Sequence, residues 1–219
     1  MQANPIGALG AACLGVAEVF KRLIALRPER GELSPGTTFS FYDYRESGSA
    51  GPALPTEVPV DLALFGAGAI GNGIVHLLSV LPVLGRINVV DRQAVQEENW
   101  GTYFLVGPGE FGISKAEWAS STLQSKLTTG WLRGSVEEYV EQCGKRVPFP
   151  RLILNGLDNI SARRAVQGLW PDQIIDGAIG PTVCEVTIHP WKGNLSCLCC
   201  DFEEPVVEAV AVQAHSTGL

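Results

Sequence analysis

The 219-residue chain contains few charged residues, a single methionine, three histidines and no block of basic residues. Charged residues make up 18% of the sequence, and acidic residues outnumber basic ones to give a net charge of −7. Nucleic-acid-binding surfaces need clustered positive charge, so this composition argues against one. Any anionic ligand must therefore be held by local geometry rather than by a basic surface.

The chain also lacks a long, uncharged apolar run. Its apolar N-terminal stretch, residues 6–26, is interrupted by Glu18, Lys21 and Arg22. This pattern predicts a packed helix over residues 5–27, with its large apolar side chains buried, rather than a membrane span or a signal peptide. Residues 28–57 are rich in proline and glycine and are interpreted as a linker with one short strand at 38–44.

The six cysteines do not have the spacing of a secreted disulfide framework, because three of them crowd into residues 197–200. We therefore expect a cytoplasmic protein with mostly buried thiols. We expect residues 1–57 to form an N-terminal helix and linker, and residues 58–219 to form the main domain.

A glycine-rich turn, Gly66 to Gly71, follows the apolar run at residues 60–65. Asp91 lies 20 residues further on, at the end of a second apolar run. This arrangement is typical of nucleotide-binding βαβ units, in which a helix N-terminus meets phosphate and the acidic residue holds a ribose hydroxyl. In such units Gly66 permits the turn, Gly68 lets the backbone approach phosphate, and Gly71 lets helix and strand pack closely. The alternative is a tight strand-to-helix turn with an incidental Asp91.

Short apolar runs and helical patterns alternate along the rest of the chain. They predict an α/β fold, namely a Rossmann-like, mostly parallel sheet with helices on both faces and an extra N-terminal helix. An antiparallel edge is expected near the C-terminus, with residues 183–189 against residues 195–200. The predicted strands are 60–65, 86–90, 151–155, 173–176 and 184–189, and the predicted helices are 71–81, 115–126, 134–143 and 161–169.

Four polar residues, Asp91, Asn99, Lys115 and Asp158, fall at or just beyond the ends of predicted parallel strands. Open α/β sheets bind ligands at this edge. A lysine, an asparagine and two carboxylates around an anion-binding turn suit a nucleoside triphosphate with Mg²⁺, which prefers oxygen ligands. Each residue also has a structural alternative. Lys115 is then a solvated helix-start lysine, Asp158 a helix N-cap, Asn99 a turn residue, and Asp91 a cap of its own loop.

Five motifs in order extend this pattern. They are GAGAIGNG at 66–73, VVDRQAVQEEN at 89–99, GISKAE at 112–117, LDNISAR at 157–163 and DGAIG at 176–180. In this set the chain resembles the ubiquitin-activating-enzyme-like superfamily, the ThiF, MoeB and HesA type of adenylating protein. The resemblance implies an enzyme that uses ATP and Mg²⁺. It attaches AMP to the C-terminal glycine carboxylate of a ubiquitin-like or sulfur-carrier protein and releases pyrophosphate.

The resemblance also implies roles for single residues. Gly66, Gly68 and Gly71 shape the nucleotide loop, and Asp91 holds the ribose. Asn99 and Lys115 contact phosphates, and Asp158 binds Mg²⁺. A homodimer is implied as well, and no cysteine of this chain matches the position at which some family members form a thioester.

Three departures from the family pattern qualify this interpretation. Thr102 stands where the family usually carries an arginine, so one phosphate-neutralising charge is missing. Cys197 and Cys200 match one of the two cysteine pairs that bind structural zinc in relatives, but no second pair follows. The further strands and helix that complete the sheet in relatives do not follow residue 206, so the chain is expected to be either a fragment or a compact variant. Two alternative functions therefore stay open, a non-catalytic scaffold of the same fold and an NAD-dependent oxidoreductase.

Overall fold

The structure is a computed structural model that describes residues 4–24, 36–46, 51–143, 149–180 and 183–202. The chain divides into two compact units, residues 1–58 with 80–82 and residues 59–79 with 83–219. The predicted division after residue 57 stays a prediction. Among the described helices, none combines the length and the apolar character needed to cross a membrane.

The first unit contains the predicted N-terminal helix, α1, which spans Pro5–Ile24. The ring of Phe41 lies against Gly10, in the space that a Cβ at this position would occupy. The expected burial of the large apolar residues of α1 is wrong, since Val16 is 67% and Leu23 is 79% exposed. The expected strand at 38–44 is also wrong, because this segment contributes only an isolated bridge between Phe39 and Glu46.

The second unit contains six strands, namely β1 Val58–Phe65, β2 Val83–Val90, β3 Thr128–Leu132, β4 Leu152–Asn155, β5 Gln173–Ile179 and β6 Cys184–Pro190. They form one sheet with the strand order β3-β2-β1-β4-β5-β6. This is the strand order of the Rossmann fold. In that fold the order in which strands are added to the sheet reverses beside β1, and helices cover both faces of the sheet. Strands β2–β3, β1–β4 and β4–β5 pair in parallel, and β5–β6 pair antiparallel. The predicted fold class is thus confirmed.

Two helices of this unit, α4 (Val136–Cys143) and α5 (Ile160–Gln167), are preceded by residues whose side chains satisfy their first N–H groups. Before α4, the Oγ of Ser135 accepts from the N–H of Glu138, and the Glu138 carboxylate accepts from the N–H of Ser135. Before α5, the Asn159 side chain accepts from the N–H of Ala162. Both patterns are standard N-terminal caps. The helices are α2 Ala69–Val80, α3 Lys115–Leu123, α4 Val136–Cys143, α5 Ile160–Gln167 and α6 Leu198–Asp201.

The structure differs from the sequence-based prediction at both edges of the sheet. Strand β3 was not expected, because a glycine interrupts its apolar pattern and Trp131 is 50% exposed at this edge of the sheet. Residues 195–200 do not form the expected strand, since their end forms the short helix α6. Leu198 in that helix is fully buried, and its N–H donates to Oε1 of Gln167 on α5. Within the described parts of the chain, β6 therefore pairs antiparallel with β5 and with no other strand.

The core supports the strand that leads into the glycine turn. Phe65, the last residue of β1, is fully buried and packs edge-on against the ring of Tyr139 from α4, with centroids 5.3 Å apart. Burying a side chain of this size contributes about 1.5–3 kcal/mol. This packing holds the end of β1, and with it the turn that follows, in a defined position.

Candidate functional site

A cavity of about 470 Å³ opens beyond the carboxyl ends of β1, β2 and β4. Its size lies within the usual range for small-ligand sites, about 300–1,000 Å³. It also lies where open α/β sheets bind their ligands, at the point where the strand order reverses. Its lining includes Gly66, Gly68, Asp91, Arg92, Gln93, Ser135, Glu137, Asp158, Arg163 and Ile179.

The glycine turn forms one wall of this cavity, and two of its glycines are required by close backbone approaches. Gly66 has a φ of +84°, and a Cβ there would lie 3.0 Å from the backbone of Gly156. A Cβ at Gly71 would overlap the carbonyl oxygen of Gly66. Gly68 differs, because a Cβ there would meet only the Tyr103 hydroxyl, at 3.8 Å. Gly71 does not line the cavity but closes the turn from behind.

The N-terminus of α2 lies at the cavity. The helix begins at Ala69, and Gly68, Ala69 and Ile70 all belong to the lining. The first N–H groups of a helix have no acceptor within the helix, and the helix dipole places partial positive charge there. This end of the cavity can therefore hold an anionic group with backbone donors alone.

Asp91 stands between the turn and the loop after β2. Its Oδ2 accepts from the N–H of Ala67 at 2.8 Å, and its Oδ1 accepts from the N–H of Gln93 at 2.7 Å. The side chain is only 8% exposed. Asp91 thus caps its own loop, as the structural alternative stated, and also ties that loop to the glycine turn. Each carboxylate oxygen can accept a second hydrogen bond, so the lining position of Asp91 still permits a ligand hydroxyl.

Lys115 lies one side chain away from the cavity. It is 5% exposed, so the alternative of a solvated lysine is wrong. Its ammonium donates to Oε1 of Gln93 at 2.7 Å and sits 5.4 Å from the centre of the Tyr103 ring. Lys115 itself is not part of the cavity lining, whereas Gln93 is. The structure therefore connects Lys115 to the cavity through Gln93.

Asn99 is not brought to the cavity. It lies in a short 3-10 helix, Glu97–Gly101, and its Oδ1 accepts from the N–H of Gln96 at 2.9 Å. This is the local turn role that was its structural alternative. Thr102, at the position of the missing arginine, donates to the carbonyl of Asn99 and is likewise outside the lining.

Asp158 follows β4 and is exposed at the cavity. Its alternative role as an N-cap is wrong, because Asn159 caps α5. Gly66, Gly68, Asp91 and Asp158 are thus the predicted residues that the structure gathers around one cavity. Gly71, Lys115 and Asn99 lie in the second layer or beyond.

A buried polar cluster at the floor of the site was missed by the sequence reasoning. Arg163, 6% exposed, donates to Asp176 at 2.5 Å and to the carbonyl of Gly177 at 3.2 Å. Asn155 donates to the other carboxylate oxygen of Asp176. Burial raises the pKa of Asp176, and the nearby Arg163 guanidinium partly offsets this. Arg163 and Asp176 fall within the motifs LDNISAR and DGAIG, and this was the sequence feature that could have identified them as site residues.

The segment after β3 brings two further residues to the cavity, Ser135 and, in the first turn of α4, Glu137. A hydrogen bond from Ser135 lowers the pKa of Glu137 below its ordinary value. These residues were missed as site residues because β3 was missed, and β3 carries them to the ligand-binding edge. Arg92, also in the lining, is exposed and makes no hydrogen bond or ion pair within the described part of the chain.

The cysteines do not assemble a metal centre within the residues that the structure describes. The Sγ atoms of Cys197 and Cys200 are 3.2 Å apart, but no group of three or more His, Cys, Asp or Glu side chains is placed to hold a metal. Zinc binding by this pair stays a prediction. The expectation of mostly buried thiols is wrong, since only Cys143 is buried and Cys13 and Cys184 are exposed, as is Cys200.

Fold and cavity together define a Rossmann-like α/β domain with a glycine turn at its ligand-binding edge. The chain belongs to the BilD C-terminal domain family, which matches residues 58–195. It is also 35% identical over 202 residues to the uncharacterized protein y4jF of Sinorhizobium fredii. That match covers 90% of this chain and 38% of y4jF, so the chain spans well under half of that relative's length.

A solved structure shares the fold. E. coli MccB, crystallised with AMPCPP and selenomethionine-labelled MccA, superposes with a TM-score of 0.54 at 17% identity. The superposition covers 72% of this chain and 48% of MccB. At this identity the likeness shows a common fold. It agrees with the fold that the superfamily resemblance implied.

Proposed function

We propose that the chain binds ATP and Mg²⁺ in the glycine-turn cavity and adenylates the C-terminal carboxylate of a peptide or small carrier protein. The observation that carries this proposal is the cavity itself, whose lining combines a helix N-terminus with the Asp158 carboxylate and the Arg92 guanidinium. Neither side chain is paired within the residues that the structure describes. MccB, which has the same fold, was crystallised with the ATP analogue AMPCPP and with MccA. The superfamily resemblance supplies the expected reaction.

The triphosphate would lie against the glycine turn. The amides at the start of α2 would donate to phosphate oxygens, and Arg92 would contribute the charge that Thr102 does not. Lys115 would reach the phosphates by exchanging its bond to Gln93 for a phosphate oxygen, since Gln93 already lines the cavity. Arg163 would stay in its ion pair with Asp176 and shape the floor.

The residues present fit Mg²⁺. This ion is usually held by one or two carboxylates together with substrate phosphates and water. Asp158 offers an exposed carboxylate at the cavity, whereas both oxygens of Asp91 already accept backbone N–H groups. Bound there, Mg²⁺ would neutralise phosphate charge in a cavity whose lining also contains the acidic residue Glu137.

The reaction needs little from the protein beyond alignment and charge. The substrate carboxylate is already ionised, so it attacks the α-phosphate without a general base, and pyrophosphate leaves. The task of the chain is to hold the two anions together in line and to shield their repulsion. A carrier protein with a C-terminal glycine is the substrate that the resemblance implies. A homodimer is also implied, and the exposed apolar side of α1 offers one surface for it.

Pyrophosphate exchange tests the proposal. The chain is mixed with ATP, Mg²⁺, labelled pyrophosphate and a small carrier protein that ends in glycine. Label should enter ATP only when the carrier is present, and Asp158→Asn should abolish the exchange. Asp172→Asn is the matched control, because Asp172 is exposed, precedes β5 and lies outside the cavity lining. Equal exchange by wild type and Asp158→Asn would overturn the assignment of Asp158.

A non-catalytic scaffold is the second candidate, and one observation favours it. Lys115 is buried and bonded to Gln93, and Asp91 is occupied by backbone donors, so two expected ligand contacts are already used within the chain. A scaffold predicts no heat of ATP binding by the folded chain in calorimetry. The adenylating protein predicts binding that depends on Mg²⁺.

A further inference from the structure

We propose that Cys197 and Cys200 form a reversible disulfide within the chain. Their Sγ atoms face each other at 3.2 Å, and they are separated by two residues. Cys200 is exposed and Cys197 is partly exposed, so both can be reached by a solvent-borne oxidant. A disulfide bond is about 2.05 Å long, so the sulfur atoms need to approach by only about 1 Å.

Zinc does not fit these residues as the structure describes them. A structural zinc site needs four ligands, and this pair provides two. Among the described neighbours, His189 is already committed at both ring nitrogens, to the Thr187 hydroxyl and to the carbonyl of Ser196. The thiol of Cys199 lies 3.7 Å from the carbonyl oxygen of Arg164, on the side of α5.

The surrounding fold holds the two thiols together. The turn from Cys197 to Cys200 is closed by a backbone hydrogen bond of 2.8 Å between these two residues. Gln167 accepts from the N–H of Leu198, and Arg164 donates to the carbonyl oxygen of Cys199. Both partners belong to α5, so the turn is anchored to a rigid element. Little conformational freedom remains to be lost when the bond forms.

The reaction balances through thiol–disulfide exchange with a small-molecule disulfide such as oxidised glutathione. The thiolate of one cysteine attacks a sulfur of the external disulfide, which forms a mixed disulfide and releases one thiol. The second cysteine then attacks the protein sulfur of the mixed disulfide and releases the second thiol. The two protein thiols lose two electrons and two protons in total, and one external disulfide is reduced to two thiols.

The test uses the full chain, equilibrated in buffers of oxidised and reduced glutathione, alkylated in denaturant and weighed by mass spectrometry. Fully reduced chain should take up six alkyl groups, because the sequence contains six cysteines. Under oxidising conditions the count should fall to four without added glutathione mass, and dithiothreitol should restore six. A count that stays at six across all buffers would overturn the proposal.

Single variants identify the pair. Cys199→Ser should still lose two alkylation sites on oxidation, whereas Cys197→Ser and Cys200→Ser should lose none. If Cys197→Ser still forms an internal disulfide, the bond does not need Cys197 and the proposal is wrong. Stoichiometric zinc that is retained by reduced wild type, and that prevents the oxidation, would also overturn it. Circular dichroism of each variant confirms that the comparison is made on folded chains.

Discussion

Replacing Gly71 with alanine tests how the glycine turn is closed. A Cβ at this position would overlap the carbonyl oxygen of Gly66, which is a backbone atom that cannot rotate away as a side chain can. The added methyl group must therefore push the start of α2 away from the turn. We expect Gly71→Ala to destabilise the domain and to weaken any ligand held by the turn.

Gly73→Ala is the matched control, because Gly73 lies two residues further along the same helix and nothing would meet its Cβ within 4 Å. Replacing a helical glycine by alanine gains up to about 1 kcal/mol of helix propensity. Both variants share this gain, so the difference between them isolates the overlap. Forced overpacking typically costs about 1–3 kcal/mol, which is the expected gap in the free energy of unfolding.

Urea unfolding followed by circular dichroism measures this gap. With a slope of about 2 kcal/mol per molar urea, the midpoint of Gly71→Ala should lie roughly 0.5–1.5 M below that of Gly73→Ala. Gly73→Ala itself should equal or exceed wild type. If the two variants unfold at the same urea concentration, the close approach of α2 to Gly66 is wrong, and with it the geometry of the cavity wall.

Three further predictions concern single side chains. Arg163→Met removes the ion-pair partner of the buried Asp176 carboxylate, so it should lower the free energy of unfolding by about 3–5 kcal/mol in urea unfolding. The double variant Arg163→Met with Asp176→Leu should recover most of this loss, because it leaves no buried charge without its partner. Burial raises the pKa of Tyr139. The stability that depends on its neutral phenol is present below pH 10 and lost as pH rises further. The wild-type urea midpoint should therefore fall more than that of Tyr139→Phe between pH 8 and pH 11, and equal falls would contradict this. Arg92→Gln should weaken ATP binding by about tenfold, as expected for a lost hydrogen bond to a charged group, without changing the affinity for adenosine. Arg133→Gln removes the same charge outside the cavity lining, and an equal effect there would show that Arg92 makes no direct contact.

The fold could be predicted from the sequence because its central strands are buried on both faces and therefore appear as continuous apolar runs. Residues 60–65 and 87–90 are of this kind, and both belong to observed strands. Strand β3 lies at an edge with Trp131 half exposed, so its residues carry no such run. The segment 195–200 looked like a strand because it is apolar, but its burial comes from a contact with α5 rather than from strand pairing.

Those residues of the candidate site could be predicted whose position follows from where a strand ends in the sequence. Gly66, Gly68, Asp91 and Asp158 lie at strand ends, and the parallel sheet brings strand ends together. Contacts between distant segments were not predictable. The bond between Lys115 and Gln93 joins residues 22 positions apart, and its formation depends on how α3 packs.

The most direct test of the central claim is a calorimetric titration of the folded chain with ATP, with and without Mg²⁺. The account predicts that wild type binds ATP more tightly when Mg²⁺ is present. Asp158→Asn should bind ATP equally well with and without Mg²⁺, and NAD should not displace ATP from wild type. It would be contradicted by a folded chain that binds no ATP, or by one that binds NAD in preference to ATP.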